Sequence, residues 1–274
     1  MNFYNTNKQI EEKIRLDILL HIKGLSESRE KSKALISENC VYVNGIIVNK
    51  PSLKISALSD IKIINPNTSY VGRGASKLEK AIKNFSISVE NSVAVDVGAS
   101  TGGFTDLLLK NGARKVYAID VGHDQLHISL KNNEKVFNIE NTNFRYIDSK
   151  IFKESIDIIV VDVSFISLSF ILPKIVEISH INTDIITLVK PQFEAGKNNI
   201  GKNGIVKDKN VHLLVLNNLN NYCILNKMHI ENLTYSPIKG GNGNIEYLAY
   251  LKHGEITKFN NENFKSIIKN AFEL

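Results

Sequence analysis

The stretch Val93–Phe104, VAVDVGASTGGF, constrains this chain more than any other. An apolar run enters a glycine-rich turn, the turn opens the helical pattern TDLLLKNG, and a second apolar run, VYAID, ends in Asp120. Strand, tight turn, helix and acid-ended strand make the first half of a nucleotide-type α/β site. The glycine spacing is not GxGxxG, whose backbone amides hold a pyrophosphate. Here the turn reads Gly98-Ala99-Ser100-Thr101-Gly102-Gly103. A tight turn at a strand end, with an acid about twenty residues on for a ribose, suits a nucleoside ligand without phosphates. S-adenosylmethionine (SAM) is the expected ligand of that kind.

The chain has 274 residues, enough for one large domain or two unequal ones. With 43% hydrophobic and 23% charged residues it has the composition of a soluble globular protein. A net charge of +6 permits a polyanionic partner without requiring one. Cys40 and Cys223 stand far apart, so neither a zinc cluster nor a disulfide framework is expected. The opening MNFYNTNKQIEEK is polar and does not read as a signal peptide. No run approaches the roughly 18 apolar residues of a membrane span. The expectation is a cytoplasmic protein that needs no membrane and no obligate protein partner.

Three regions follow along the chain. Residues 1–64 form a small domain with an N-terminal extension. RLDILLHIKG reads as a helix with Leu16, Leu19 and Leu20 on one face, stopped by Gly24. Ser26 can cap a second helix, with Glu27 in its first turn, ending near Asn39. VYVNGIIV then gives a hairpin at Asn44-Gly45. Residues 65–70 read as a linker. Residues 71–274 alternate helices with strands at 92–97, 115–120, 135–139, 157–163 and 184–189. That alternation predicts a parallel sheet with helices on both faces. Strands at 228–234 and 246–252 are separated by a glycine loop and are expected to pair antiparallel at the sheet edge. The tail 261–274 spaces Phe264, Ile267, Ile268 and Ala271 as a docked amphipathic helix. The fold class is thus α/β, a Rossmann-like sheet with a small N-terminal α+β domain.

Charge falls in two informative places. In the small domain, Arg15, Arg29, Lys31 and Lys33 lie on or beside the helices, and Lys50 and Lys54 follow the hairpin. Singly each is a solvated residue; clustered on so small a module they can track a phosphate backbone. In the large domain, Asp162 ends the apolar run IDIIVVD and Lys190 ends TDIITLVK, at the carboxyl edge of the sheet where ligands bind. Lys77 in SKLEKA and Glu246 in GNIEYL could face water or join them. Methyl transfer to a hydroxyl needs no metal, because the sulfonium donor is already activated. It needs a general base and an acceptor held in line. A lysine beside a second cation and oriented by carboxylates is a reasonable base.

The small-domain pattern RLD…GLSESREKSKALI…VYVNGIIVNKP resembles the S4 RNA-binding domain, in which residues matching Arg15 and Arg29 help hold RNA. DVGASTGGFTDLLL, DVSFISL and LVKPQFEAGK, with SKLEKA before and GNIEYL after, resemble the TlyA family. That family joins an S4 domain to an FtsJ-like SAM-dependent methyltransferase and acts on cytidine 2′-hydroxyls in ribosomal RNA. The resemblance implies ribosomal RNA or ribosomal subunits as partner. It also implies a Lys-Asp-Lys-Glu tetrad at Lys77, Asp162, Lys190 and Glu246, with Lys190 as the base. Gly98, Ala99, Ser100, Thr101, Gly102, Gly103 and Phe104 are then expected around the methionine part of SAM, Asp120 at its ribose and Asn143 at its adenine. Asp162 serves both the donor and the reaction. Phe165 either stacks on an extruded base or is a core residue opening a helix. Arg145, Lys31 and Lys197 are candidate RNA contacts, Lys197 from the basic loop 194–204. The two tails lean toward members that modify the RNA of both subunits.

Three other readings compete. One is an RNA-binding module with an inactive enzyme domain, against which the intact turn and the four tetrad residues argue. A hemolysin acting on membranes, a label this family has carried, finds no span or strongly basic amphipathic helix. An NAD-dependent dehydrogenase is opposed by the broken GxGxxG.

Overall fold

A computed structural model describes residues 13–26, 28–37, 40–63, 70–240, 243–254, 256 and 258–274. The chain divides into two compact units, Met1–Asn67 and Thr68–Leu274. The N-terminal extension over 1–12 and the expected linker, Tyr70 excepted, lie outside the described residues.

The small unit contains β1 (Lys13–Arg15), α1 (Leu16–Ile22), α2 (Arg29–Ser37), β2 (Val41–Val43), β3 (Ile46–Ile47), β4 (Lys54–Ser56) and β5 (Ile61–Ile63). Leu16, Leu19 and Leu20 of α1 are buried against Ile36, Val41, Val43 and Ile55. Gly24, at φ +67°, stands just past α1. Asn44 (φ 50°) and Gly45 (φ 80°) are both left-handed, as a primed two-residue hairpin turn requires. β2 pairs with β3 on one side and β5 on the other, while β1 and β4 form a separate antiparallel pair. The sequence reading, two helices and a hairpin, misses β1, β4 and β5. Each has only three residues, too few for alternation to show. The cap of α2 also differs. Ser28 Oγ, not Ser26, accepts from the Lys31 amide at 3.1 Å; Glu27 and Asn39 lie outside the described residues.

The large unit begins with α3 (Ala75–Phe85), β6 (Val93–Val97), α4 (Gly103–Lys110), β7 (Lys115–Ile119), α5 (Ile128–Lys131), β8 (Val136–Ile139) and β9 (Ile158–Val161). It continues with α6 (Leu172–Ile178), β10 (Asp184–Val189), α7 (Pro191–Glu194), α8 (Lys209–Leu225), β11 (Met228–Tyr235), β12 (Tyr247–His253) and α9 (Asn261–Ala271). One sheet runs in the order β11-β12-β10-β9-β6-β7-β8. β8, β7, β6, β9 and β10 are mutually parallel, and β12 is antiparallel to both of its neighbours. Strands buried on both faces read as continuous apolar runs. In β6, Val93, Val95 and Val97 face the core that includes α8 and α9 residues, and Ala94 faces the core built with α3 and α4.

The last two strands pair antiparallel, but only β11 is at the edge. β12 slots between β11 and β10. Its residues explain the choice. Leu248 enters one core while Tyr247, Ala249 and Leu251 enter the other, so both faces need cover. β11 carries Glu231 and Asn232 and tolerates the edge.

Register then sets the site. Val97 lies level with Ile119 on one side and Val161 on the other. Gly98, Asp120 and Asp162 therefore leave the sheet at one level of its carboxyl edge. Val189 lies opposite Tyr247 in antiparallel register, which sets Lys190 beside Glu246.

Candidate active site

Asp162, Lys190 and Glu246 stand one residue beyond their strands, and Lys77 lies in the first turn of α3. The four side chains meet. Lys190 Nζ is 2.5 Å from Asp162 Oδ1. Lys77 Nζ is 3.8 Å from Asp162 Oδ2 and donates to Glu246 Oε2 at 2.7 Å. Lys190 also donates to Ser164 Oγ at 3.0 Å. The result is a chain of alternating charge, Lys190–Asp162–Lys77–Glu246, largely withdrawn from water.

Two cavities open beside this chain. The first, about 440 Å³, is lined by Gly98, Ser100, Asp120, Gln125, Thr142, Asn143 and Asp162 with an apolar wall that includes Val97, Ile119, Phe144, Ile166 and Ile171. Its size falls in the range of small-molecule sites, about 300–1,000 Å³. A nucleoside donor fits its chemistry. Gly98 (φ +84°) passes so close to the Asp162 carbonyl that a Cβ would sit 2.5 Å from that oxygen. The turn and the end of β9 thus meet backbone to backbone at the wall of this cavity. Asp120 is fixed by two backbone amides, Ser100 N–H on Oδ2 at 2.8 Å and Gly122 N–H on Oδ1 at 2.7 Å. Asn143 Oδ1 accepts from the Arg145 amide at 3.2 Å, which fixes its side chain at the cavity rim.

The second cavity, about 550 Å³, is lined by Lys77, Lys190 and Glu246 with Arg73, Ser164, Phe165, Gln192, Phe193 and Asn244 among others. Ser164 and Phe165 line both cavities. A donor in the first and an acceptor in the second would meet at Asp162 and Lys190.

Not every sequence candidate reaches a cavity. Of the turn residues, Gly98 and Ser100 line the first cavity. Ala99, Gly102, Gly103 and Phe104 are buried elsewhere. Ala99 packs with Ala118, Leu126 and Leu130, and Phe104 with the α3–α4 core. A Cβ on Gly102 would meet Leu130, and one on Gly103 would meet the Gly72 backbone. Thr101 is exposed and its carbonyl accepts from His127. These residues shape the turn; they do not wall the cavity. The sequence could not separate the two roles, because a small residue serves either.

Phe165 is 91% exposed at φ +63°, which overturns the core alternative. Its ring leans on Phe193 at 5.0 Å between centroids. A bulky residue in the left-handed region is strained, and such strain gathers at ligand sites. Arg145 is half-buried over the rings of Tyr146 and Phe170. Lys197 and Lys31 are exposed. Loop 194–204 contains two 3-10 turns, and Asn244 ties its end down by accepting from Val206 N–H and donating to the Gly204 carbonyl. Sequence reasoning missed Arg73, Gln125, Ser164, Gln192 and Asn244; Thr142 falls in the stretch 140–143 expected to flank the adenine. Only Ser164, next but one to Asp162 in DVSF, carried a signal.

Asp96, one turn of strand before Gly98, is fully buried. Thr105 Oγ1 donates to its Oδ2 at 2.6 Å, while Oδ1 has no hydrogen-bond partner among the described residues. Burial pushes its carboxyl up to about 7.

Comparison with known proteins agrees with this anatomy. Residues 70–253 match the family model described as FtsJ-like methyltransferase, and residues 14–61 match the S4 domain. The chain is 46% identical to "Hemolysin A" of Brachyspira hyodysenteriae over 86% of its length and 99% of that protein's. It is 36% identical to "16S/23S rRNA (cytidine-2'-O)-methyltransferase TlyA" of Mycobacterium tuberculosis, covering 87% of this chain and 89% of that one. A solved structure, a putative hemolysin from Streptococcus thermophilus, superposes with a TM-score of 0.77 at 40% identity, over 96% of this chain and 97% of that one. Among the described residues no helix is long and apolar enough to cross a membrane.

Proposed function

The chain belongs to the FtsJ-like methyltransferase family, in the TlyA group that joins this domain to an S4 domain, and from that premise we propose that it methylates a cytidine 2′-hydroxyl in ribosomal RNA. The observation that carries the reading is the position of Asp162. Its carboxylate lines the donor cavity and contacts Lys190 and Lys77, which line the other.

Gly98, Ser100, Asp120 and Asn143 would hold SAM, with Asp120 at the ribose and Asn143 near the adenine. When bound, SAM supplies a methyl group activated by a sulfonium, and transfer leaves S-adenosylhomocysteine and one proton. Lys190 acts in its neutral amine form: the Nζ lone pair takes that proton from the 2′-hydroxyl, leaving an ammonium against the Asp162 carboxylate. Asp162 and Ser164 hold Lys190 Nζ in place, and Ser164 contributes only a neutral hydroxyl. Lys77 steadies the other carboxylate oxygen of Asp162 and is itself fixed by Glu246. A base with fixed neighbours needs little rearrangement as the reaction proceeds. Phe165, exposed between the cavities, stacks on the target base once it is turned out of its strand. Arg145 and Lys197 contact phosphates. The S4 unit grips RNA through Arg15, Arg29 and Lys31, supported by its basic surface.

The test is transfer of tritiated methyl from SAM to in vitro transcribed ribosomal RNA, with the product nucleoside identified by mass spectrometry. Methyl appearing on a base, or no transfer to RNA that binds, would sink this reading.

A further inference from the structure

Arg15 and Lys54 lie directly opposite each other in the antiparallel β1–β4 pair. Opposed residues share a face, and like charges there are destabilising. Folding alone gives no reason to set them so. Asp17 lies at the heart of this arrangement, 0% exposed. Arg15 grips it with two bonds, Nε to Oδ1 at 3.0 Å and Nη2 to Oδ2 at 3.1 Å. Arg29, arriving from α2, donates Nε to the same Oδ2 at 3.0 Å. The Asp17 amide in turn donates to the Pro51 carbonyl at 3.1 Å, which ties the Lys50–Pro51 segment to α1.

One buried carboxylate thus fixes two guanidiniums from separate elements, and a third cation stands beside them. The Arg15 and Arg29 side chains remain 38% and 49% exposed. The bonds to Asp17 engage Nε and Nη2 of Arg15 but only Nε of Arg29. Nη1 of the first and both Nη groups of the second are not used by that carboxylate. The two arginines also hold the Asp17 carboxyl well below its ordinary range, so it stays ionised at any working pH.

We propose that Asp17 is a positioning residue for RNA binding. It presents Arg15 and Arg29 as a preformed pair of phosphate-facing guanidiniums and does not itself touch the polyanion. This rests on the reading of the small unit as an RNA-binding module. The physical gain is preorganisation. A free arginine surrenders rotamer freedom on meeting a phosphate, whereas one already held by Asp17 has surrendered it on folding.

Simple electrostatics and preorganisation give opposite signs for Asp17→Asn. The substitution removes a negative charge, so charge alone would tighten RNA binding. Asparagine, however, keeps one acceptor and turns an NH₂ donor toward an arginine, so the clamp opens. The experiment measures affinity of the full-length protein for in vitro transcribed large-subunit RNA between about 50 and 200 mM salt. Binding is expected to weaken about five- to tenfold in Asp17→Asn, and the slope of log affinity against log salt to shrink by about one to two, since each lost phosphate contact removes about 0.7–0.9. SAM affinity stays unchanged. Equal or tighter RNA binding with an unchanged slope, in a protein whose melting shows both units folded, overturns the proposal. Should Asp17→Asn fail to fold, Arg15→Lys decides. It keeps the charge and loses the two-pronged grip, so weakened binding supports the proposal and unchanged binding overturns it. A wild-type protein that does not bind the RNA at all would remove the underlying reading, and this proposal with it.

Discussion

Lys77 Nζ and Glu246 Oε2 lie 2.7 Å apart although 169 positions separate them in the chain. Glu246 is only 3% exposed and Lys77 is its sole ionic partner among the described residues, whereas Asp162 is 21% exposed and has two. The four charges are therefore unequal in what they do for stability. Lys77→Ala strands a buried carboxylate, which typically costs about 3–5 kcal/mol. Lys190→Ala leaves Asp162 still paired with Lys77 but takes the partner from its buried Oδ1, so its loss should be smaller, about 1–3 kcal/mol. Denaturant unfolding of the two variants checks this. A Lys190→Ala protein destabilised as much as Lys77→Ala would mean the tetrad is one cooperative unit.

Lys190 lines the acceptor cavity and is absent from the donor cavity. Lys190→Ala should therefore lower methyl transfer by about 10²–10⁴-fold, the usual contribution of a general base. SAM affinity, read by calorimetry, should change less than about threefold, because the groups proposed to hold it are untouched. Parallel losses of activity and SAM binding would contradict the division into two cavities.

How much of this was legible differs residue by residue. The parallel strands were plain, because burial on both faces writes continuous apolar runs such as IDIIVVD. Asp162 and Lys190 stood out because each charge follows such a run. Glu246 and Lys77 did not, since nothing local says that β12 inserts beside β10 and brings Glu246 to Lys190. The glycine turn was legible as a turn but not as a division of labour. Gly98 and Gly102 both have positive φ, yet one meets the Asp162 carbonyl and the other the Leu130 side chain. Side-chain packing across the chain makes that distinction, and a single sequence does not carry it. In the small unit, Arg15 and Arg29 were legible as cations. Their shared hold on Asp17 required the packing of α2 against α1, which carries Asp17.

Gly98→Ala tests the close approach of the turn to Asp162. The new Cβ would lie 2.5 Å from a backbone oxygen, at φ +84°. A non-glycine residue held in such a region costs about 1–3 kcal/mol, and the collision must push Asp162 away from its place between the cavities. Both SAM affinity and methyl transfer are expected to fall at least about tenfold. Gly24→Ala is the control. It shares the positive φ, +67°, but among the described residues its Cβ would meet nothing within 4 Å. It should cost stability alone and leave SAM affinity as it was. If both variants lose only stability, the contact with Asp162 has no functional weight.

The acid branch of stability should carry the signature of His212. This ring is 0% exposed and lies between the Tyr247 hydroxyl, 2.7 Å from Nδ1, and the Val206 carbonyl, 3.1 Å from Nε2. A carbonyl only accepts, so Nε2 carries the proton and Nδ1 accepts from the Tyr247 hydroxyl, whose titration burial pushes up. Both bonds are satisfied by the neutral ring, and burial lowers the His212 pKa below 6.5. The unfolded chain therefore takes up a proton at higher pH than the folded one. The contribution is complete above about pH 6.5 and is lost as pH falls toward the folded pKa, at no more than about 1.4 kcal/mol per pH unit for one proton. Other groups titrate nearby. His253 is also lowered and adds to the slope, while Asp96 and Glu194 are raised and oppose it. The difference between wild type and His212→Phe isolates the one ring. That difference in unfolding free energy should shrink as pH drops from about 6.5 to 5 and stay level from about 7 to 8. Because Tyr247 follows Glu246 directly, the same acid range should loosen the start of β12 and reduce methyl transfer. Profiles that run parallel across the whole range would show that His212 does not titrate in the folded protein's acid transition.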